Sequence, residues 1–363
     1  MKILTIIGAR PQFIKATALS LAARARAGVE EVLLHTGQHY DENMSEVFFR
    51  DLRLPEPKYR LEIGSGLHGE VTGKQLAGVE QVLLREKPDI CLVYGDTNST
   101  LAGALAAAKL NIPVAHIEAG LRSFNQSMPE EINRVLTDHV AHWLFTPTHA
   151  AALNLKREGI PSERVHRVGD VMYDTVKLFN DNPRHQTKIV SDLGLKVKEY
   201  AVATIHRQAN VDDPKRLTAI LSALGELGQR MTVIMPMHPR TSKAVAEHAH
   251  PIPSSLDVVS PLGFFDMMTL VSRAALVVTD SGGLQKEAYF HRVPCVTARE
   301  ETEWVELVEM GWNRLPGAIE TDALLAAIKT ALDTPLPDVE IACEPYGGGT
   351  AAIRILDVLT MSA

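Results

Sequence analysis

The chain has 363 residues, with 44 acidic and 37 basic side chains and a formal net charge of −7 at pH 7. At about 150 residues per domain, this length predicts two domains. A composition that is 45% hydrophobic and 22% charged is typical of a folded globular protein. A net anion is repelled by nucleic acid and by anionic lipid, so the charge argues against a nucleic-acid or membrane partner.

Three cysteines, Cys91, Cys295 and Cys343, are far apart in the sequence. They are too few for a disulfide framework and wrongly spaced for a zinc ribbon, which favours the reducing cytosol. The apolar run before Gly8 is shorter than the core of a signal peptide, and the small-residue run at 101–110 is too short to cross a bilayer. We therefore expect a soluble, cytoplasmic protein.

Short apolar runs alternate with helical or amphipathic segments along the chain. In the first half a helix-compatible stretch covers 11–27, and strands are predicted at 3–7, 31–35, 90–94, 114–117 and 143–146. In the second half strands are predicted at 200–205, 232–235, 256–259, 275–279 and 294–297. This alternation predicts an α/β fold with two doubly wound parallel sheets, and we interpret the polar stretch at 181–198 as the linker between them.

The segment from Gly64 to Gly69 matches the dinucleotide-binding fingerprint G-x-G-x-x-G letter for letter. That fingerprint belongs after the first buried strand of a βαβ unit. Here the preceding residues 58–63 are charged and follow two prolines, so we favour a flexible glycine loop over an NAD site.

In the first half, charged residues lie where predicted strands end. Arg10 and Lys15 come after the first strand, at the beginning of a helix, which is a favourable place for an anion. Asp96 and Glu118 end two later strands, and Glu130 follows twelve residues on. A single acid here is usually a helix cap, but three of them converging on one crevice favour a functional site.

In the second half, His206 ends one strand, and the Ser281–Gly283 turn joins a later strand to a helix. Backbone N–H groups in such a turn can bind a diphosphate, helped by the helix dipole. Glu287, two helical turns on, could accept hydrogen bonds from ribose hydroxyls. The alternative is a capped helix after a glycine turn. No metal site is predicted, because the histidine pairs lack carboxylate or cysteine partners.

Six segments then occur in a recognisable order. They are Gly-Ala-Arg-Pro at 8–11 with Lys15, Tyr-Gly-Asp-Thr at 94–97, His-Ile-Glu-Ala-Gly-Leu-Arg at 116–122, Pro-Glu-Glu at 129–131 with Asn-Arg at 133–134, Ile-His-Arg at 205–207, and Thr-Asp-Ser-Gly-Gly at 279–283. Together they resemble the non-hydrolysing UDP-N-acetylglucosamine 2-epimerases over almost the whole chain.

The resemblance implies GT-B architecture, with two Rossmann-like doubly wound parallel-sheet domains facing a central cleft. Residues 1–175 would form the N-terminal domain, with a C-terminal helix at about 346–363 packing back on it, and residues 176–345 would form the UDP-binding domain. It also implies a UDP-sugar substrate, a homodimer, a role in surface polysaccharide synthesis, and no cofactor or metal.

The implied chemistry is inversion at carbon 2, which bears no neighbouring carbonyl to acidify its proton. Elimination of UDP to a glycal, followed by re-addition, solves this and needs acid/base groups on both faces of the ring. By resemblance, the catalytic residues are Asp96, Glu118, Glu130 and His206. The substrate-binding residues are Arg10, Lys15, Arg134, Ser281, Gly282, Gly283 and Glu287, with Arg10, Lys15 and His206 near the phosphates, Glu287 on the ribose, and Arg134 orienting the glutamates of its own segment.

The chain departs from the commonest family pattern at Ala9, Gln12 and Phe13, where that pattern has Thr, Glu and Ala. It also departs at Met128 and Trp304, where the pattern has Trp and Arg. The segment at 38–44, which lies outside the residues that the structure describes, and the Trp304 segment look more like the subgroup that epimerises UDP-2,3-diacetamido-2,3-dideoxyglucuronic acid. The substrate therefore stays open between that uronate and UDP-N-acetylglucosamine. A GT-B glycosyltransferase and a catalytically silent UDP-sugar-binding protein are the alternatives.

Overall fold

The structure is a computed structural model that describes residues 1–37, 49, 52, 54–64, 66–180, 185, 187–248, 251–337 and 345–361, without the side chain of Arg10. The chain divides into two compact units. Unit 1 is Met1–Asp181 together with Ile341–Ala363, and unit 2 is Asn182–Glu340. Each unit is built around one parallel sheet.

The sheet of unit 1 has seven strands in the order β3-β2-β1-β4-β5-β6-β7. They are β1 (Lys2–Ile7), β2 (Glu30–His35), β3 (Tyr59–Arg60), β4 (Ile90–Tyr94), β5 (Val114–Ile117), β6 (Trp143–Thr146) and β7 (Val165–Arg167). The helices between them are α1 (Arg10–Arg24), α2 (His68–Glu86), α3 (Asn98–Lys109), α4 (Pro129–Val140), α5 (His149–Arg157) and α6 (Val171–Asn180), with a 3-10 turn at Ser162–Arg164. The apolar runs of β1 and β4 form the centre of the sheet because helices cover both of its faces.

Unit 2 repeats this plan with six strands in the order β10-β9-β8-β11-β12-β13. They are β8 (Tyr200–Thr204), β9 (Thr232–Pro236), β10 (Leu256–Val259), β11 (Leu276–Thr279), β12 (Cys295–Thr297) and β13 (Asn313–Arg314). Its helices are α7 (Ile189–Asp192), α8 (Gln208–Val211), α9 (Pro214–Gly228), α10 (Pro239–Glu247), α11 (Phe264–Ser272), α12 (Gly282–Phe290), α13 (Val305–Glu309) and α14 (Thr321–Asp333). In both units the strand order reverses next to the first strand, as in a Rossmann fold.

The last helix, α15 (Ala351–Met361), belongs to unit 1 and packs on α1 and α6. Its apolar face, which includes Ile355 and Leu359, is buried. The Ala352 amide donates to Asp174 Oδ2 over 2.8 Å, so a carboxylate of α6 caps this helix. None of the helices within the described ranges is long and apolar enough to cross a membrane.

Each strand predicted from an apolar run is present, and its ends differ from the prediction by at most one residue. Three strands were missed: β3, β7 and β13. They have only two or three residues, contain arginine, and lie at or next to a sheet edge, so they leave no apolar run to detect. The segment interpreted as a linker contains α7, and Val190 is buried in the core of unit 2. That part of the segment is packed structure, which corrects the interpretation.

Candidate functional site

Both units bring polar loops together where the strand order reverses. In unit 1, β1 and β4 are neighbours, and the chain leaves them at Gly8 and Gly95. In unit 2, β8 and β11 are neighbours, and the chain leaves them at Ile205 and Asp280. Open α/β sheets bind ligands at this point, outside the carboxyl ends of the strands. The sequence-predicted residues therefore form two clusters, one in each unit.

Gln12 joins the two loops of unit 1. Its side-chain oxygen accepts hydrogen bonds from the amides of Gly8 (2.8 Å) and Ala9 (3.1 Å), and its amide nitrogen donates to the carbonyl of Tyr94 over 2.9 Å. A glutamate could accept the first two bonds but could not donate the third in its ionised form. Gln12 is thus one departure from the common family pattern with a clear structural role, and sequence reasoning did not assign it one.

Lys15 and Glu118 form an ion pair between Lys15 Nζ and Glu118 Oε2, and both side chains are almost inaccessible. Gly95 adopts φ +62°, and a Cβ there would lie 3.1 Å from Lys15 Nζ and 3.3 Å from Glu118 Oε2. Glycine at this position avoids both the left-handed strain and the crowding. The sequence placed Lys15 near the phosphates, whereas in the structure its ammonium contacts a catalytic candidate.

Glu118 itself has φ +69°, which is costly for a residue with a side chain. Its amide and that of Ala119 both donate to the carbonyl of Phe145, each over 3.1 Å, so β6 holds the strained residue in position. Residues with a strained backbone persist only where neighbouring structure holds them in place, and such residues are concentrated at functional sites. Glu118, which the sequence predicts to be catalytic, thus has a strained backbone that β6 holds in place.

Asp96 is held by Arg134, which approaches Oδ2 with Nε at 3.0 Å and Nη2 at 2.8 Å. The third guanidinium nitrogen, Nη1, contacts Glu131. Glu131 also accepts hydrogen bonds from the amides of Ser123 (3.0 Å) and Phe124 (2.9 Å), so it anchors a loop. Arg134 was expected to orient the glutamates of its own segment. It does contact Glu131, but it also binds the carboxylate of Asp96.

The remaining candidates of unit 1 have less defined surroundings. Glu130 lies in the first turn of α4 and is half-buried. Arg10 is the first residue of α1, and its side chain lies outside the described part of the structure. The structure therefore connects Lys15 with Glu118 and Asp96 with Arg134, and it links Asp96 through Arg134 to the helix that carries Glu130.

In unit 2, Asp280 organises the loop after β8. This fully buried carboxylate accepts hydrogen bonds from the amides of His206 (3.0 Å) and Arg207 (2.9 Å) and from Asn210 Nδ2 (3.1 Å). Burial raises its pKa, but the neighbouring His206 and these hydrogen bonds outweigh that effect, and the pKa of Asp280 lies below its usual value. Asp280 is part of the Thr-Asp-Ser-Gly-Gly segment at 279–283, but the sequence predicted no role for it.

His206 lies against the same carboxylate, with Nδ1 3.2 Å from Asp280 Oδ1. Its side chain is 37% exposed, so the opposite ring edge is accessible. The ring also packs against that of His238, with centroids 5.3 Å apart. A carboxylate on Nδ1 orients the imidazole, as a group that contacts a phosphate or transfers a proton requires.

The Ser281–Gly283 turn opens α12, with Ser281 at the N-cap and no side-chain capping bond. A Cβ on Gly282 would lie 2.4 Å from Glu303 Oε1, so the turn leaves no room for a side chain at this position. Glu303 is held in turn by Arg299 at 2.8 Å. Glu287 lies in the second turn of α12 and is buried. The first amides of this nine-residue helix are donors suited to an anion.

The glycine segment that matches the dinucleotide fingerprint lies elsewhere. It follows the two-residue strand β3 at the sheet edge, Gly69 is already the second residue of α2, and Ser65 falls outside the described residues. The loop after the first buried strand, β1, is the one that begins at Gly8. Among the described residues, no group of three or more His, Cys, Asp or Glu side chains is arranged to hold a metal ion.

Comparisons with known proteins identify the family of this chain. The sequence model of the UDP-N-acetylglucosamine 2-epimerase family matches residues 21–360. A UDP-2,3-diacetamido-2,3-dideoxy-D-glucuronate 2-epimerase of Pseudomonas aeruginosa is 50% identical over 363 residues, covering 99% of both chains. The UDP-N-acetylglucosamine 2-epimerase of Methanocaldococcus jannaschii is 41% identical over 374 residues, again covering 99% of both.

Solved structures extend the comparison to the fold. The crystal structure of the M. jannaschii UDP-GlcNAc 2-epimerase in complex with UDP-GlcNAc and UDP matches with a TM-score of 0.91, covering 99% of this chain and 100% of that one. The Neisseria meningitidis enzyme bound to UDP-GlcNAc matches with a TM-score of 0.90 at 28% identity, covering 99% of this chain and 100% of that one. The predicted fold class is confirmed, and these relatives favour an epimerase over a glycosyltransferase. The chain belongs to the UDP-N-acetylglucosamine 2-epimerase family of non-hydrolysing isomerases.

Proposed function

We propose that this protein inverts carbon 2 of a UDP-2-acetamido sugar by eliminating UDP to a 2-acetamidoglucal and adding it back. One observation supports this proposal most strongly. Two carboxylates at neighbouring strand ends, Asp96 and Glu118, are each in contact with a cation, and Glu118 keeps a strained backbone. Such an arrangement holds charged oxygen atoms in fixed positions, as proton transfer at a carbon atom requires.

The elimination begins when a carboxylate of unit 1 removes the proton from carbon 2. The C–H electron pair becomes the double bond between carbons 1 and 2, and UDP departs with the electron pair of the bond between carbon 1 and oxygen. In the return step, a carboxyl group on the opposite face gives its proton to carbon 2, and the diphosphate oxygen bonds to carbon 1 again. We assign these proton transfers to Asp96, Glu118 and Glu130 as a set.

Unit 2 supplies the groups that a departing diphosphate needs. The amides of the Ser281–Gly283 turn lie at the positive end of the α12 dipole. We propose that they bind the phosphates together with His206 and Arg10, while Glu287 accepts hydrogen bonds from the ribose hydroxyls. Fixed donors of this kind stabilise developing negative charge without having to reorganise, and in many enzymes this stabilisation accounts for most of the rate enhancement.

The relatives support two substrates. The P. aeruginosa relative, at 50% identity, is a UDP-2,3-diacetamido-2,3-dideoxy-D-glucuronate 2-epimerase, whereas the M. jannaschii relative, at 41%, is a UDP-N-acetylglucosamine 2-epimerase. The higher identity and the Trp304 segment make the diacetamido uronate the first substrate to test. UDP-N-acetylglucosamine is the second.

The proposal includes a homodimer that acts in the cytoplasm and supplies surface polysaccharide synthesis, as the family resemblance implies. Ile132 and Leu136, one turn apart on α4, are each about half exposed (49% and 48%) and offer an apolar face for self-association. Light scattering coupled to size-exclusion chromatography measures the mass, and a monomer at micromolar concentration would contradict the dimer.

The activity is tested by incubating the protein with each UDP-sugar in deuterated water and following carbon 2 by NMR. Inversion with one deuterium at carbon 2 is expected for the true substrate, because the new proton comes from a solvent-exchanged carboxyl group. Turnover that depends on added NAD, or transfer of the sugar to an acceptor, would contradict the proposal.

A further inference from the structure

His116 lies in β5, two residues before Glu118, and is completely buried. Its Nδ1 is 2.7 Å from Asp138 Oδ1, and its Nε2 is 2.8 Å from the carbonyl oxygen of Gly95. Gly95 immediately precedes Asp96, so one nitrogen of this ring holds the loop that carries a catalytic candidate. Sequence reasoning gave His116 no role.

Asp138, on α4, holds the other catalytic loop. Its Oδ2 accepts a hydrogen bond from the Gly120 amide over 3.1 Å. The same oxygen forms an ion pair with Arg122 Nη1 at 2.8 Å. Gly120 follows Glu118 by two residues and has φ +81°. A Cβ there would lie 2.4 Å from the carbonyl oxygen of Ala151, so the position has no room for a side chain. One side-chain pair, His116 with Asp138, thus connects the loop of Asp96 to the loop of Glu118.

The partners of the ring determine its protonation state. Both nitrogens face acceptors, a carboxylate and a carbonyl, so both hydrogen bonds exist only if both nitrogens carry a proton. Arg122 is bound in turn by the two oxygens of Glu158, each over 2.7 Å. With an imidazolium, the cluster contains two positive and two negative charges. With a neutral ring it would have an uncompensated negative charge in a largely buried place.

The contacts around Asp138 favour its charged form. Burial raises the pKa of Asp138, but the hydrogen bond and charge of His116 and the charge of Arg122 outweigh it, and the pKa lies below its usual value. The Gly120 carbonyl also accepts a hydrogen bond from Asn154 Nδ2 at 3.0 Å. Gly120 is therefore held at both its amide and its carbonyl.

We propose that His116 is held as an imidazolium and is the positioning residue that fixes the Gly95–Asp96 loop relative to the Glu118–Gly120 loop. The inference rests on the proposed function, since those loops carry the groups assigned to proton transfer. His116 does not touch the substrate in this role. It sets the separation of two carboxylates, on which the rate depends steeply, because a misplacement of about 1 Å can cost about 100-fold in turnover.

Two replacements separate the two hydrogen bonds. His116→Asn can keep a donor near Asp138 and loses the contact with Gly95, whereas His116→Gln can keep a donor near Gly95 and loses the contact with Asp138. Both are expected to lower kcat by about 10- to 100-fold, while the KM and the affinity for UDP change by less than about twofold. His142→Asn is the matched control, because His142 accepts a bond from the amide of Val114 in the same strand.

The protonation state is measured independently on the unmodified protein. With ¹⁵N-labelled histidine, His116 should give the signature of two protonated ring nitrogens at pH 7.5, and Asp138→Asn should shift that signal and identify it. A neutral tautomer at pH 7.5 would overturn the proposal even if both His116 variants failed to fold. Wild-type kcat in a folded His116→Asn protein would overturn it as well.

The epimerase assignment and the positioning role of His116 can fail separately, and different measurements show which one has failed. If the unmodified protein inverts neither UDP-sugar, the epimerase assignment fails, and the link between the loops is still tested by hydrogen exchange. His116→Gln, which loses the contact with Asp138, should then speed exchange of the Gly120 amide at least tenfold, whereas His142→Asn should not. Unchanged exchange at Gly120 would overturn the positioning role on its own.

Discussion

The two units use the same sheet topology but build their loop clusters from different chemical groups. In unit 1 the cluster consists of charged side chains in pairs, Lys15 with Glu118 and Arg134 with Asp96. In unit 2 it consists mainly of backbone amides, some bound by the buried Asp280 and others at the start of α12. One sheet plan therefore supports two kinds of site.

The difference indicates a division of labour. Carboxylates that move protons must change charge during the reaction, and a neighbouring cation keeps each of them available and in place. A diphosphate does not exchange protons with its site, so fixed amide donors suit it better. Changes in unit 1 should therefore affect turnover, and changes in unit 2 should affect the affinity for UDP.

The largest effect is expected from Glu118→Gln. The amide keeps the shape of the side chain but cannot remove or return a proton, so deuterium exchange at carbon 2 should fall at least about 1000-fold. The affinity for UDP, measured by calorimetry, should stay within about twofold. Normal exchange in this variant would remove Glu118 from the catalytic set, and a large loss of UDP affinity would break the division between the units.

Gly120→Ala should have the next largest effect, on stability. A Cβ there would lie 2.4 Å from the carbonyl oxygen of Ala151, in addition to the strain at φ +81°. Unfolding in urea should show a loss of about 3 kcal/mol. Gly159→Ala is the matched control, because Gly159 has φ +79° with open space around it and should lose only about 1 to 2 kcal/mol. Equal losses would mean that contact with Ala151 does not constrain the loop.

Asp280→Asn tests unit 2. The new amide nitrogen would face the backbone donors of His206 and Arg207, so the free energy of unfolding should fall by about 1 to 3 kcal/mol and the UDP affinity by about tenfold. Asp213→Asn is the control, since Asp213 also accepts backbone bonds, at the start of α9, and asparagine is an equally good cap. Unchanged UDP affinity in Asp280→Asn would contradict the role of the loop after β8.

The smallest effect concerns Asp174, a buried carboxylate that caps α15. Burial raises the pKa of Asp174 to about 6, even though the amides of Ala352 and Ala351 lower it. The folded state thus binds more protons than the unfolded state between about pH 4 and pH 6, so stability falls as the pH rises through that range.

Asp174→Asn keeps an acceptor for Ala352 and removes the charge. It should stabilise the protein by about 1 to 2 kcal/mol at pH 7.5 and leave it unchanged near pH 4. Urea denaturation at the two pH values measures this. If the variant loses stability equally at both pH values, the raised pKa of Asp174 does not affect the free energy of unfolding. Asp280 is also buried, but its pKa is lowered and not raised, because His206 lies beside it.

The sheets could be predicted because parallel strands that are buried on both faces are mostly apolar, and some, such as 90–94, are continuous apolar runs. The short strands at the sheet edges could not, because two residues such as Tyr59 and Arg60 carry no periodic signal. The positions of Asp96 and Glu118 followed from the same logic, since a strand that ends in an acid delivers it to the edge of the sheet where ligands bind.

The contacts among those residues could not be predicted from the sequence. Lys15 and Glu118 are 103 positions apart, and only the pairing of β1 with β4 and of β4 with β5 brings them together. Similarly, Asp280 lies inside a motif that draws attention to its serine and glycines, although its carboxylate is what holds the loop of His206. Spacing indicates which strand end carries a residue, but the partner of each side chain depends on the register of the whole sheet.

The central claim is that UDP leaves carbon 1 and stays bound while carbon 2 is reprotonated. Positional isotope exchange tests it most directly, with ¹⁸O placed in the bridge between carbon 1 and the β-phosphorus. The label is expected to move to the non-bridging β-phosphate oxygens in recovered UDP-sugar, because the bound diphosphate can rotate before it is added back. Inversion at carbon 2 with the label retained entirely in the bridge would contradict it.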